Sequence, residues 1–230
     1  MVEPFCGGLA VTLSLRPNRA LLNDINAQAM HFYSWLKRGL RVDNLLKFEN
    51  DERLYYQNRE RFNELISDNG AESAEAAALF YYMNRTCYNG LCRFNSRGLF
   101  NVPFGRYKRI NYTRDFNEYR DVFRDWELST GDFERLEVAE DDFLYADPPY
   151  DVEFRSYSKE GFSWEDQVRL GEWLSKHRGP TVLSNQATDR IVRLYEKLGF
   201  KMRLIQAPRM INCTGDRSPA TEVLAIKGID

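Results

Sequence analysis

Asp147-Pro148-Pro149-Tyr150 follows directly on the apolar run Phe143-Leu144-Tyr145-Ala146. The run has the length and character of a buried strand. The two prolines end it, because they have no N–H to donate and their φ is fixed. The chain therefore turns at the strand's carboxyl end, the edge where open α/β sheets bind ligands. That turn carries one carboxylate, two rigid rings with carbonyls, and one aromatic face. The set suits a planar base with an exocyclic amino group, whose N–H groups the carboxylate and a carbonyl can accept while the ring stacks. Taken alone, four residues fit a Pro-Pro loop after a strand equally well. The flanking sequence has to decide.

Near the start of the chain, Val2-Glu3-Pro4-Phe5 predicts a first strand feeding a turn at Cys6-Gly7-Gly8. Leu9 to Leu15 reads as a short helix, Ala20 to Leu22 as a second strand closed by Asn23-Asp24, and Ile25 to Leu36 as a helix. This β-α-β unit has glycines after its first strand and an acid after its second, the places for backbone approach and for ribose hydroxyls. The glycines do not spell GxGxxG, so a nucleoside without phosphates, such as S-adenosylmethionine, fits better than a dinucleotide. Downstream, Trp126 to Ser129 reads as a strand ending at Gly131-Asp132-Phe133, where a nucleoside base can sit beside an acid and a ring. Ser163 caps a helix to Lys176, Thr181 to Asn185 is a strand, and Thr188 caps a helix that stops at Gly199. Phe200 to Ala207 and Thr221 to Lys227 alternate as a closing antiparallel pair. The loop from Pro208 to Pro219 carries Arg209, Asn212 and Arg217, within reach of a ligand or phosphate.

Between about Val42 and Thr113 the composition changes. Asp51 to Ile66 and Glu72 to Asn84 have helical periodicity, with Asn69-Gly70 as the turn between them. Tyr88 to Asn95 and Leu99 to Lys108 flank Ser96-Arg97-Gly98 and predict a β-hairpin. From Arg85 to Arg114 there is no Asp or Glu, while Arg85, Arg93, Arg97, Arg106, Lys108, Arg109 and Arg114 are basic. On a chain whose net charge is only −2, this is a local footprint for phosphates. A ribbon bearing Arg and Asn fits the major groove of duplex DNA. An exposed basic hairpin without a partner is the alternative.

Composition limits the remaining classes. The chain has 230 residues, 43% hydrophobic and 29% charged, enough for one α/β core with an appendage. There is no membrane-spanning run and no signal peptide, so a cytoplasmic protein is expected. Cys6, Cys87, Cys92 and Cys213 lack metal-ligand spacing, and with two histidines in all no metal site is expected.

Together these residues identify a resemblance. The blocks Tyr88-Asn89-Gly90-Leu91-Cys92-Arg93, Phe100 to Lys108 and Asp147 to Tyr150, with Glu3 to Gly8, Asn23 to Asn26, Ser163 to Gln167 and Ser184-Asn185, make the chain resemble Dam-type DNA adenine-N6 methyltransferases of bacteria and phages, the D12 class. The likeness covers nearly the whole length. It implies an α/β fold: a Rossmann-like seven-stranded methyltransferase sheet from residues 1–41 and 114–230, with an inserted helical and β-hairpin target-recognition domain at 42–113. It implies S-adenosyl-L-methionine held by Glu3, Pro4, Phe5, Cys6, Gly7, Gly8, Asp24, Ile25, Asp132, Phe133 and Asp147. Asp147, Pro148, Pro149 and Tyr150 form the implied catalytic set. Double-stranded DNA is the implied partner, with Arg93 reading a guanine. Asn89, Leu91 and Pro103 line base edges, Asn95, Arg97, Asn101 and Lys108 belong to the same surface, and Arg106 and Tyr107 touch the backbone or neighbouring pairs. GATC is the family's usual target. A monomer is expected, acting on the nucleoid or, if phage-encoded, in the host cytoplasm, in restriction protection or another methylation role.

Family members also carry a lysine- and glycine-bearing segment ahead of the first strand, and the residues here begin at Met1-Val2-Glu3. The enzyme reading therefore stands beside a DNA-binding relic impaired in catalysis, and, because the same acceptor geometry serves any exocyclic amine, beside an amino methyltransferase acting on RNA adenine or cytosine N4. The chemistry expected is direct transfer to adenine N6, drawn towards sp³ by Asp147 and the Pro148 carbonyl after the base has left the helix.

Overall fold

The computed structural model describes residues 1–151, 161–207 and 220–229. In chain order the elements are β1 (Val2–Glu3), α1 (Ala10–Leu15), β2 (Ala20–Asp24), α2 (Ala27–Lys37), α3 (Glu52–Ser67), α4 (Ala74–Thr86), α5 (Asn117–Val122), β3 (Trp126–Thr130), β4 (Leu144–Ala146), α6 (Trp164–Lys176), β5 (Thr181–Gln186), α7 (Asp189–Lys197), β6 (Lys201–Ala207) and β7 (Ala220–Lys227). The chain divides into two compact units, Met1–Ile25 with Ser129–Asp230, and Asn26–Leu128. The loop bearing Arg209, Asn212 and Arg217 lies outside the described residues.

The seven strands form one sheet in the order β3-β2-β1-β4-β5-β7-β6. β1 runs parallel to both β2 and β4, with Val2 opposite Leu21 on one side and Leu144 on the other. β4 runs parallel to β5, and β7 is antiparallel to β5 and β6. The chain leaves β1 towards β2 but places β4 on the other side. That reversal opens a crevice at the carboxyl ends of β1 and β4, where ligands settle in such sheets. The sheet is the Rossmann-like architecture expected of a methyltransferase.

Local signals explain how the flanking helices start. Ser163 accepts from the Asp166 N–H while the Asp166 carboxylate accepts from the Ser163 N–H, a reciprocal capping box. Thr188 caps α7 in the simpler way. Four residues apart on one face, Leu170 and Leu174 of α6 and Ile191 and Tyr195 of α7 are fully buried against Leu144, Ala146, Leu183, Val223 and Ala225. Each such side chain is worth roughly 1.5–3 kcal/mol of burial, which holds the strand ends in register.

In the second unit α3 packs on α4, and α2 packs on α4 and α5. Tyr55 and Phe62 are the fully buried residues of α3. The predicted hairpin is reduced to two isolated bridges, Phe94 to Phe100 and Cys87 to Phe104. The reason is competition for backbone groups. Asn63 of α3 accepts from the Phe100 N–H at 2.8 Å and donates to its carbonyl at 3.1 Å. Tyr55 and Arg59 donate to the Val102 carbonyl at 2.8 and 3.1 Å. The second arm thus divides its backbone groups between the first arm, through Asn101 N–H to the Arg93 carbonyl and Tyr88 N–H to the Pro103 carbonyl, and the side chains of α3, which meets the obligation to pair buried backbone without a continuous ladder. The short helix α5 is an element the periodicity did not suggest, since six residues are too few to show a face. No helix among the described residues is long and apolar enough to cross a membrane.

Candidate active site

Asp147 lies immediately after β4 and is exposed, while Pro148 behind it is buried. Ser184, at the matching level of β5, donates to Asp147 Oδ1 at 2.6 Å. The next carbonyls are treated differently. Gln167 donates its amide to the Pro149 carbonyl at 2.8 Å, and Asn185 donates to the Gln167 side-chain oxygen at 2.9 Å. Among the described residues nothing donates to the Pro148 carbonyl. The loop therefore presents one oriented carboxylate and one carbonyl with acceptor capacity to spare. Tyr150 donates to Glu222 at 3.3 Å, and burial, with Asp147 and Glu222 close by, pushes its phenol up. Asp151 closes the loop: it is buried, accepts from Thr188 at 3.0 Å and from Arg190 Nε at 2.6 Å, and Arg190 also lies over Trp164.

Beside Asp147, Glu3 ends β1 in a fully buried position and shares a hydrogen bond with the Thr12 hydroxyl of α1. Burial pushes its carboxyl up to about 7, the Thr12 bond opposes that, and the Asp147 charge adds to it. The buried Cys6 thiol is also pushed up, chiefly by burial and then by the Asp24 and Glu3 charges, so it is a poor nucleophile. What these groups can do is accept protons and hydrogen bonds. The arrangement suits accepting hydrogen bonds from an amine better than nucleophilic attack.

The glycine turn follows β1. Gly7 has φ +44°, and a Cβ placed on Gly7 or Gly8 meets nothing within 4 Å, so both line open space. The Gly7 N–H donates to Asp24 Oδ2 at 2.9 Å, which sets the acid at the end of β2 against the turn. Asn23 ties the same edge together by donating to the Pro4 and Gly131 carbonyls at 2.9 Å each. Ile25 is strongly exposed at 74%. Asp132 begins a 3-10 turn over Phe133–Arg135, and Phe133 is buried within 5.5 Å of both Phe5 and Trp173. Glu3, Pro4, Phe5, Cys6, Gly7, Gly8, Asp24, Ile25, Asp132, Phe133 and Asp147 all lie in one unit, at the carboxyl ends of β1 to β4. A set of carboxylate acceptors, an aromatic wall and an open glycine cradle fits a phosphate-free nucleoside with an amino acid tail.

The residues read as DNA contacts lie in the other unit. Asn89 adopts φ 54° in the 3-10 turn Tyr88–Gly90, and the Leu91 carbonyl accepts from the Cys87 thiol. Arg93 is exposed and donates to the Asn101 side chain at 2.8 Å and its carbonyl at 3.3 Å, which orients the guanidinium. Asn95 is spent on the turn, accepting from the Arg97 and Leu99 N–H groups at 3.0 Å each. The exposed Pro103 accepts from the Tyr88 N–H, Tyr107 donates to the Cys87 carbonyl at 3.0 Å, and Arg106 pairs with Glu52 at 3.2 Å. Arg97, Lys108 and Arg109 are exposed and make no ion pair among the described residues.

Sequence reasoning did not assign roles to Ser184, Gln167, Glu222, Asp151, Arg169 or Arg190. For Ser184 a signal existed, two polar residues at the end of an apolar strand; for the arginines none did, because their partners lie far away in the chain.

A model of the D12 class of N6 adenine-specific DNA methyltransferases matches residues 1–211. The chain is 35% identical to the type II methyltransferase M.MjaIII of Methanocaldococcus jannaschii, over 94% of this chain and 83% of that protein. It is 34% identical to a DNA adenine methylase of Vibrio cholerae, over 98% and 86%, and 31% identical to the retron Ec67 DNA adenine methylase of Escherichia coli, over 99% and 82%. The acceptor loop at the switch point and these matches agree, and the chain belongs to the D12 class of N6 adenine-specific DNA methyltransferases.

Proposed function

We propose that the chain is a site-specific methyltransferase that takes its methyl group from S-adenosyl-L-methionine and modifies adenine N6 within GATC in duplex DNA. Residues 1–41 and 114–230 serve as the catalytic domain and 42–113 as the target-recognition domain. The observation that carries the reading is the exposed Asp147 carboxylate beside the Pro148 carbonyl, at the crevice that also holds the glycine turn. The Tyr88 to Arg93 and Phe100 to Lys108 blocks support GATC.

When bound, the cofactor supplies an electrophilic methyl group. Gly7 and Gly8 leave room for its backbone-facing side, and Asp24 accepts from ribose hydroxyls. Asp132 and the Phe133 N–H, which has no intrahelical acceptor at the first position of its turn, match the amine and ring nitrogen of an adenine. For the target, Asp147 and the Pro148 carbonyl accept the two N6–H bonds. This returns the lone pair to nitrogen and stabilises the positive charge that develops there, preorganised by Ser184. Tyr150 stacks on the extruded base. Unstacking costs a few kcal/mol, offset by these pocket contacts. Arg93 and its neighbours read the flanking bases.

The test is tritium transfer from labelled S-adenosylmethionine to GATC and scrambled duplexes, followed by nucleoside digestion. N6-methyladenine should appear only in GATC, and Asp147→Ala should abolish it while calorimetry still registers cofactor binding. Full transfer by that variant would remove Asp147 from the mechanism. Label in cytosine or in RNA would reassign the target, and absence of cofactor binding by the unaltered chain would favour the impaired DNA-binding reading.

A further inference from the structure

Arg169, on α6, is engaged by three carboxylates at once. Its Nη1 donates to Asp132 Oδ1 at 2.9 Å and to Glu134 at 2.7 Å, and its Nη2 donates to Asp132 Oδ2 at 2.8 Å and to Asp166 at 3.0 Å. Its guanidinium also lies 4.5 Å over the Phe133 ring. Asp132 Oδ1 accepts a second bond, from the Glu134 N–H at 3.0 Å. A carboxylate offers about four acceptor sites, two on each oxygen. Two donors reach Oδ1 and one reaches Oδ2, so one site on Oδ2 is left, on a side chain still 36% accessible.

We propose that Arg169 is the positioning residue that sets the base preference of the cofactor pocket: it fixes Asp132 as an acceptor-only carboxylate with one open site, so the pocket takes a nucleoside with an exocyclic amine and rejects its 6-oxo counterpart. The inference rests on the reading of Asp132 and Phe133 as the adenine contacts. Beside an adenine, the open site on Oδ2 accepts one N–H. Beside a hypoxanthine it faces a carbonyl oxygen, and the Phe133 N–H faces a second N–H, so both contacts become repulsive. The bidentate Arg169 contact, which outweighs partial burial, holds the Asp132 carboxyl below its usual range; the Glu134 N–H and the charge of Arg135 act in the same direction. Glu134 and Asp166 are the acids that share Arg169, and they keep the guanidinium in place. Without Arg169, Asp132 rotates more freely and takes up a proton at higher pH, when it can donate to a carbonyl.

The experiment is calorimetric titration of the full chain with S-adenosylhomocysteine and with S-inosylhomocysteine, at pH 7.5 and pH 5, for the unaltered protein, Arg169→Met and Arg169→Lys. The unaltered protein should prefer the adenosyl ligand by about tenfold or more at both pH values. In Arg169→Met the preference should fall to about threefold or less at both pH values, because Asp132 no longer holds one orientation while an unpaired Asp carboxyl still titrates below pH 5. Arg169→Lys keeps the charge without the paired geometry; it should recover only part of the preference. If Arg169→Met does not fold, as judged by circular dichroism, the reduced preference of Arg169→Lys decides. An unchanged preference in a folded variant would overturn the role of Arg169. A preference near one in the unaltered protein would instead overturn the adenine contacts themselves.

Discussion

Replacing Glu3 by Gln tests how the crevice tolerates a buried acid. The Glu3 carboxyl is 2% exposed, held by Thr12, and titrates at about 7 rather than 4.5. Between those values the folded protein binds more protons than the unfolded chain. The unfolding free energy therefore falls as pH rises through the window. At about 1.4 kcal/mol for each pH unit crossed, ionising Glu3 in place costs about 3 kcal/mol by pH 8.5, a large share of a typical stability of roughly 5–15 kcal/mol. Gln cannot ionise, keeps a partner for the Thr12 hydroxyl, and leaves Asp147 without a second negative charge beside it. Urea unfolding followed by tryptophan fluorescence should show the stability of Glu3→Gln relative to the unaltered chain rising by about 2–3 kcal/mol between pH 5 and pH 8.5. A constant difference between the two proteins across that range would refute the argument, since any packing change introduced by Gln is independent of pH.

Three further outcomes follow from the site. Ser184→Ala removes a 2.6 Å bond to a carboxylate; losing about 1.5–3 kcal/mol should lower kcat roughly ten- to a hundredfold with cofactor affinity unchanged, as single-turnover kinetics would show. Arg93→Ala should relax the choice of guanine by about 1–3 kcal/mol, measured as the ratio of methylation rates on GATC and singly substituted duplexes; an unchanged ratio contradicts the assignment. Gly7→Ala places a Cβ in the open cradle at φ +44°. It should cost about 1–2 kcal/mol of stability and weaken S-adenosylhomocysteine binding as well, and unaltered affinity in calorimetry would remove Gly7 from the pocket.

Much of this protein is written locally. Pro148-Pro149 ends β4 because proline has neither the donor nor the φ a strand needs, and Asp147 is thereby left at a strand's carboxyl end. Ser163 and Thr188 start their helices through bonds to residues three positions on, which are visible in the order of residues alone. The tertiary structure decided which distant groups meet. Ser184 reaches Asp147 because β5 is the parallel neighbour of β4. Asn63, Tyr55 and Arg59 fasten one arm of the expected β-ribbon to a helix, which leaves only isolated bridges between the arms. Arg169 reaches Asp132 across 37 positions of chain. Periodicity and capping report which face of an element is apolar and where the element ends. Which polar partner waits on that face depends on the strand order and on long-range packing, and only the folded chain contains that information.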